Sequence, residues 1–223
     1  MSAPPVRRPL SLLVPALVAA TVLVLPLIGL LQRAPWSTLI ERLTDEVVVD
    51  ALQVSLIVSV TAAALCVVLG VPLAWLLARS ELPGINLLRA VVMVPMVLPP
   101  VVAGTALLFA LGRRGLVGQW LDEWFGLTLP FTTAGAVLAA TFVALPFFVI
   151  TVESALRQQG GLLEEAAATS GAGPVATFWH VTLPSVRAAL GAGLALAWAR
   201  ALGEFGATIT FAGSLGGRTR TLP

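Results

Sequence analysis

The sequence predicts an all-α membrane protein, a polytopic bundle of apolar helices. Hydrophobic residues make up 58% of the 223 positions and charged residues only 11%, with a mean hydropathy of +0.97. A soluble domain carries about 25% charged residues, so most of this chain belongs in lipid or against other spans. Five stretches are each long and apolar enough to cross a bilayer core, which needs about 20 residues of helix. Proline recurs inside those stretches, at Pro15, Pro26, Pro72, Pro95, Pro99, Pro100 and Pro146. In lipid the backbone groups freed by proline must find partners within the bundle, so the spans are expected to pack closely.

Taken in order, the first span is Leu10–Leu31, preceded by Arg7-Arg8. It is long for the apolar core of a signal peptide and reads as an uncleaved, arginine-anchored span. Val47–Ala78 follows and is longer than a bilayer requires, so it should tilt or project beyond it. Leu87–Gly112 contains the Pro95–Pro100 cluster, which predicts a broken segment packed against its neighbours. Ala134–Leu156 and Ala188–Gly213 complete the set. Trp36, Trp120 and Trp124 lie in the connections 32–46 and 113–133, as an aromatic belt would place them. There is no internal repeat, low-complexity tract or soluble stretch, and residues 1–223 read as a single transmembrane domain.

The charges exclude several function classes. All 13 basic residues are arginine, and the net charge is only +2. They are scattered near span ends, so no nucleic-acid surface is predicted. Without lysine the chain cannot hold the phosphate-binding loop of an ATPase. One cysteine, Cys66, and one histidine, His180, provide neither a disulfide nor a metal cluster. An intramembrane enzyme would need a nucleophile–base pair or metal ligands, so no catalytic residue, metal or cofactor is expected. With the N-terminus inside, six arginines flank the inner ends and six the outer ends, so the charge bias alone gives no orientation.

The most informative polar stretch lies between the fourth and fifth spans, within residues 157–187. It reads Glu165-Ala166-Ala167, three residues, Gly171, nine residues, then Val181-Thr182-Leu183-Pro184. Leu162–Ser170 is rich in Ala and Glu and should form a short helix. Gly171–Pro174 should break it, and a second helix should run through Val175–Val181 until Leu183-Pro184 turns the chain into the next span. An ordinary amphipathic surface helix is the plainer alternative. The spacing resembles the EAA loop of ABC importer permeases, with Val181 in the place of isoleucine. The resemblance implies the type I importer permease fold and assigns this loop, through Glu165, Ala166, Ala167, Gly171, Val181, Leu183 and Pro184, to contact with a cytoplasmic ATPase dimer. ATP and Mg would then be bound by that separate chain, and the loop and N-terminus would face the cytoplasm. Glu165 is expected to pair with an arginine of the loop or of the partner.

The last span carries Arg200 and Glu204 near its middle, at a spacing that places both on one helix face. Charges there cost several kcal/mol unless paired or wetted. The pair either lines a pathway or locks the bundle. Gly191, Ala195, Ala199, Gly203 and Ala207 recur every four residues and should permit close helix packing.

Ala199 to Gly213, with Leu-Gly-Glu-Phe-Gly-Ala at its centre, and Thr-Arg-Thr-Leu-Pro at 219–223 resemble molybdate/tungstate permeases of the bacterial inner membrane. The Leu-Gly-Glu-Phe-Gly-Ala core also occurs in sulfate/thiosulfate permeases. The resemblance covers nearly the whole chain and is strongest over 70–100 and from Glu165 on. It implies a homodimer working with an extracytoplasmic oxyanion-binding protein. Thr208, Thr210, Ser214, Arg218 and Arg220 could offer donors to a passing dianion. Family members continue past the last motif into a sixth span, so five of an expected six are visible. An ion-coupled secondary transporter is the distant alternative; it would want paired repeats and coupling acids, for which only Glu204, Glu153 and Asp50 are available.

Overall fold

The computed structural model describes residues 10–217 and 219–222. Arg7, Arg8 and Arg218, read above as anchors or donors, lie outside the described residues. The chain divides into two compact units, one ending at Asp45 and one running from Glu46 onward.

The first unit is α1 (Leu10–Arg33), a 3₁₀ turn (Trp36–Thr38) and the short α2 (Leu39–Leu43). Arg33 sits in the last turn of α1, where a cation is favoured by the helix dipole. The Trp36 indole N–H donates to the Leu31 carbonyl at 2.8 Å, satisfying one of the acceptors the helix end leaves open.

The second unit contains α3 (Glu46–Arg79), α4 (Ile85–Val97), α5 (Pro100–Leu111), α6 (Gly118–Phe125) and α7 (Thr133–Gln159). After these come α8 (Leu162–Thr169), α9 (Pro174–Thr177), a π-helical turn (Phe178–Thr182), α10 (Leu183–Ser185), α11 (Arg187–Leu202) and α12 (Gly206–Ala212). Its centre is the packing of α3, α7 and α11. Phe148 of α7 is fully buried at their junction. A Cβ on Gly70 of α3 would lie 2.5 Å from its ring, and one on Gly193 of α11 would lie 3.2 Å from it. Two glycines thus make the slot that this large ring fills. Small buried residues line the rest of the interface, including Ala62, Ala140, Ala144 and Ala197. Without water to drive apolar association, such close approach and the dispersion it brings hold helices together.

A second packing centre joins α5, α7 and α12 around Ala103, Leu107, Val143 and Phe211. Here the backbones nearly touch. A Cβ on Gly104 would sit 2.6 Å from Thr210 Cβ, and one on Gly206 would sit 2.5 Å from Pro100 Cβ.

Among the described residues, three helices are long and apolar enough to cross a membrane, over Ser11–Arg33, Glu46–Arg79 and Thr133–Gln159. The pair Pro174–Ser185 and Arg187–Leu202, bent by 71°, makes a fourth if read as one span. The expected break near Pro99 is present. Leu98 and Pro99 are extended, Pro100 opens α5, and the Ala103 N–H reaches back to the Pro99 carbonyl at 3.0 Å. The stretch Ala188–Gly213, expected as one helix, is also broken. α11 ends at Leu202 and α12 begins at Gly206, because Gly203 and Phe205 leave regular helix between them. The stripe of Gly191, Ala195 and Ala199 is exposed within this unit. Gly193, Ala197 and Ala201, two positions further on, form the face buried against α3 and α7. Both series repeat every four residues, and only the tertiary packing selects between them.

Candidate functional site

The polar connection after α7 begins at Gly160, whose φ of +68° turns the chain out of the helix. α8 follows and is closed by a turn in which the Ser170 and Ala172 N–H groups return to the carbonyls of Ala166 and Ala167. Gly171 sits at φ +86°, a conformation that a side chain would strain even though the space around it is open. Pro174 occupies the first turn of α9, as expected. The helical path does not end at Leu183-Pro184. It passes through the π turn, which contains Val181, and through α10, which contains both Leu183 and Pro184, and it breaks only at Val186. Proline is tolerated because it lies in the first turn of α10, where its missing N–H costs little.

Glu165, Ala166 and Ala168 are exposed on α8, together with Leu162 and Leu163, while Ala167 is half-buried. The loop therefore presents one acid among small and apolar side chains. The carboxylate that meets an arginine is the neighbouring Glu164. Helix phase decides this: Glu164 turns inward and Glu165 outward. Arg79, the last residue of α3, donates from Nε to Glu164 Oε2 at 3.1 Å and from Nη2 to Glu164 Oε1 at 3.2 Å. The same guanidinium donates from Nη1 to the Leu156 carbonyl at 2.8 Å and from Nη2 to the Gly160 carbonyl at 2.5 Å. Glu164 Oε1 also accepts from Thr182 Oγ1 at 2.9 Å. Ser185 Oγ adds a link back to Gln159 Oε1 at 2.9 Å.

A second cluster lies beside the first. Glu153, buried on α7, accepts from Arg89 Nε at 2.8 Å and from Arg157 Nε at 2.9 Å. Both arginines also donate to the Leu77 carbonyl near the end of α3. Arginine suits these positions because its planar fork serves a carboxylate and carbonyls together.

The last-span pair is built differently. Arg200 Nη2 lies 2.5 Å from Glu204 Oε2, so the sequence neighbours do meet. Glu204, however, lies beyond the end of α11. It is buried, and its Oε1 accepts the Ala207 N–H at 2.7 Å, satisfying an orphan donor at the start of α12. Thr210 commits its hydroxyl to the Gly206 carbonyl at 2.7 Å. Thr208 is buried, and its Oγ1 has no hydrogen-bond partner among the described residues. Downstream, Thr219 is buried and its Oγ1 accepts the Leu215 N–H at 2.9 Å. The Leu222 N–H donates to Ser55 Oγ of α3 at 2.7 Å.

A family model described as the inner membrane component of binding-protein-dependent transport systems matches residues 70–222, which takes in all of these features except Ser55. The chain belongs to that family. It is a multi-pass inner membrane component, and its relatives agree. The molybdenum transport system permease protein ModB of Mycobacterium tuberculosis is 45% identical over 220 residues, covering 99% of this chain and 83% of the relative. ModB of Escherichia coli is 46% identical over 174 residues, or 78% of this chain and 76% of the relative. The sulfate transport system permease protein CysT of Escherichia coli is 38% identical over 213 residues, or 94% of this chain and 76% of the relative.

For this inner membrane component, the residues that sequence reasoning missed are Arg79, Glu164, Thr182, Arg89, Glu153 as an arginine ligand, and Thr219. One signal was present for the first two. Arg79 is the last charge before the chain leaves a long apolar helix, and Glu164 is an acid in the first turn of a short one. These are positions where helix dipoles favour such charges.

Proposed function

We propose that this chain is the channel subunit of an ATP-driven importer that carries an oxyanion, molybdate or tungstate, into the cell. The observation that carries the reading is the 45% identity to ModB of Mycobacterium tuberculosis across 99% of the chain, supported by the complete EAA spacing at Glu165–Pro184. Relatives named for molybdenum stand at 43–46% identity and those named for sulfate at 36–38%. The chain works without enzymatic activity of its own. Residues 1–223 act as one transmembrane domain with five spans and a cytoplasmic N-terminus. Two copies pair, a cytoplasmic ATPase dimer hydrolyses ATP, and an extracytoplasmic binding protein delivers the anion.

In this scheme α8 docks on the ATPase through Glu165 and the small residues beside it, with Gly171 shaping the turn. Closure of the ATPase dimer moves α8, and the spans attached to it alternate between inward- and outward-open arrangements. The break between α11 and α12, with Arg200, Glu204, Thr208 and Thr210, is the candidate wall of the pathway. Discontinuous helices recur where substrates cross a bilayer, because unwound backbone is tolerated where it faces a cavity.

The test is uptake of labelled molybdate by cells carrying the complete operon, in competition with tungstate and sulfate. Molybdate and tungstate should compete with each other, and sulfate should compete only at much higher concentration. Equal competition by sulfate would move the chain to the sulfate/thiosulfate group.

A further inference from the structure

We infer that Arg79, Glu164 and Thr182 form a clasp that makes α8 move as one body with the ends of α3 and α7; this rests on the coupling reading above. The need for such a clasp follows from the connections. α8 is joined to α7 through Gly160 and Gly161, and to α9 through Ser170, Gly171, Ala172 and Gly173. Gly160 and Gly171 both adopt left-handed φ, and among the described residues no heavy atom beyond their own chain neighbours lies within 4 Å of where a Cβ would sit. A helix tethered by two glycine connectors can swing on them, and a displacement imposed on it would be lost in the tethers.

The guanidinium of Arg79 removes that slack. From the end of α3 it reaches two other chain segments at once: the Leu156 and Gly160 carbonyls at the end of α7, and Glu164 on α8. Glu164 passes the connection on to Thr182 in the π turn, from which α10 leads toward α11. Trp75, one turn before Arg79, packs edge-on against Phe178 of that turn at 6.2 Å and closes the circuit with an apolar contact. Arg79 and Glu164 are 17% and 21% exposed, so water competes weakly for their hydrogen bonds. The adjacent acids divide the work. Glu165 remains on the outer face for the partner, and Glu164 faces inward and ties the helix down.

The experiment uses the complete complex of permease, ATPase and binding protein in proteoliposomes. It measures molybdate transported per ATP hydrolysed, with assembled complex quantified separately. Glu164→Gln and Arg79→Met should keep the ATPase bound and hydrolysing. Transport per ATP should fall about tenfold, the scale of losing a hydrogen bond to a charged group. Arg79→Lys should recover part of the ratio, since the charge returns without the fork. Thr182→Val removes one hydrogen bond to the Glu164 carboxylate and leaves those from Arg79, so it should lower the ratio less, about threefold.

A role confined to stability would reduce the amount of complex and leave transport per ATP at the wild-type value, and that result overturns the clasp. Loss of the ATPase from the Glu164→Gln complex also overturns it, because Glu164 would then belong to the docking contact. If Arg79→Met fails to assemble, Thr182→Val decides, and an unchanged ratio there overturns the clasp. Gly171→Asp separates this proposal from the one beneath it. If that variant transports normally, the coupling reading itself fails. If it uncouples while Glu164→Gln retains the wild-type ratio, only the clasp fails.

Discussion

Two regions of the second unit place arginine against carboxylate, and they use the pair for different ends. At the foot of α3, Arg79, Arg89 and Arg157 reach residues far away in sequence, with Glu164 85 positions from Arg79 and Leu77 80 positions from Arg157. Each arginine serves a carboxylate and at least one other acceptor, so the network binds separate helices together. In the last span, Arg200 meets Glu204 only four positions on, and the second oxygen of Glu204 caps α12. That pair bridges a break within one segment. Buried ion pairs are weak sources of net stability, and their value here lies in what they connect. The first region is built to hold elements in register, and the second to keep an interrupted helix aligned.

The largest effect is expected where the loop meets its partner, outside both networks. Gly171→Asp puts a side chain at φ +86° and a charge on the exposed turn. Uptake should fall to background although the chain still inserts, because ATP hydrolysis is no longer coupled to the spans. Uptake at the wild-type level would remove α8 from the coupling path.

Next comes the core of the first network. Glu153→Gln leaves Arg89 and Arg157 without their shared carboxylate. It should cost about 3 kcal/mol, the low end for breaking a buried pair, because both arginines retain the Leu77 carbonyl. Thermal unfolding of the detergent-solubilised protein would show this, and an unchanged Tm would mean that the network contributes no register.

The second region should respond more mildly to the matching change. In Glu204→Gln the amide oxygen can still accept from Ala207, so mainly the charge is lost. A cost of about 2 kcal/mol is expected, since Arg200 is 28% exposed and can relax toward water. Arg200→Met combined with Glu204→Gln should restore assembly. Uptake per assembled complex in that double variant then sharpens the comparison. Full uptake marks a purely structural pair, and poor uptake despite full assembly marks a group that attracts the passing anion.

The smallest effect belongs to exposed Arg113, paired at 2.8 Å with the half-buried Asp122 of α6. The neighbouring carboxylate raises the Arg113 pKa further above its ordinary value through the hydrogen bond and its charge. A group so open to water gains little from such a pair, and Arg113→Ala should leave both Tm and uptake unchanged. A measurable loss would mean that this end of the molecule is less wet than its exposure implies.

What could be read from the sequence was mostly what repeats locally. The apolar runs, the break around Pro99 and the Glu165–Pro184 spacing are all properties of a few adjacent residues. The break at Gly203–Phe205 was hidden because an apolar run continues across it and Glu204 looks like the next residue of a helix face. The choice of Gly193, Ala197 and Ala201 over Gly191, Ala195 and Ala199 could not be read, since both faces have the same period. Glu164 and Glu165 are equally acidic, and only the phase of α8 against α3 separates them. The Arg79 clasp was invisible for the same reason as any long-range contact: nothing near Arg79 in sequence names its acceptors.

The most direct test of the account is capture of the ATPase by α8. A photo-cross-linker would be attached to a cysteine replacing Glu165, and in a parallel sample to one replacing Thr128, both in a Cys66→Ala background with the complete complex. Cross-linking of the ATPase chain from position 165 and none from position 128 is the predicted result. Capture from position 128, or none from 165 in a complex that still transports, would contradict the account.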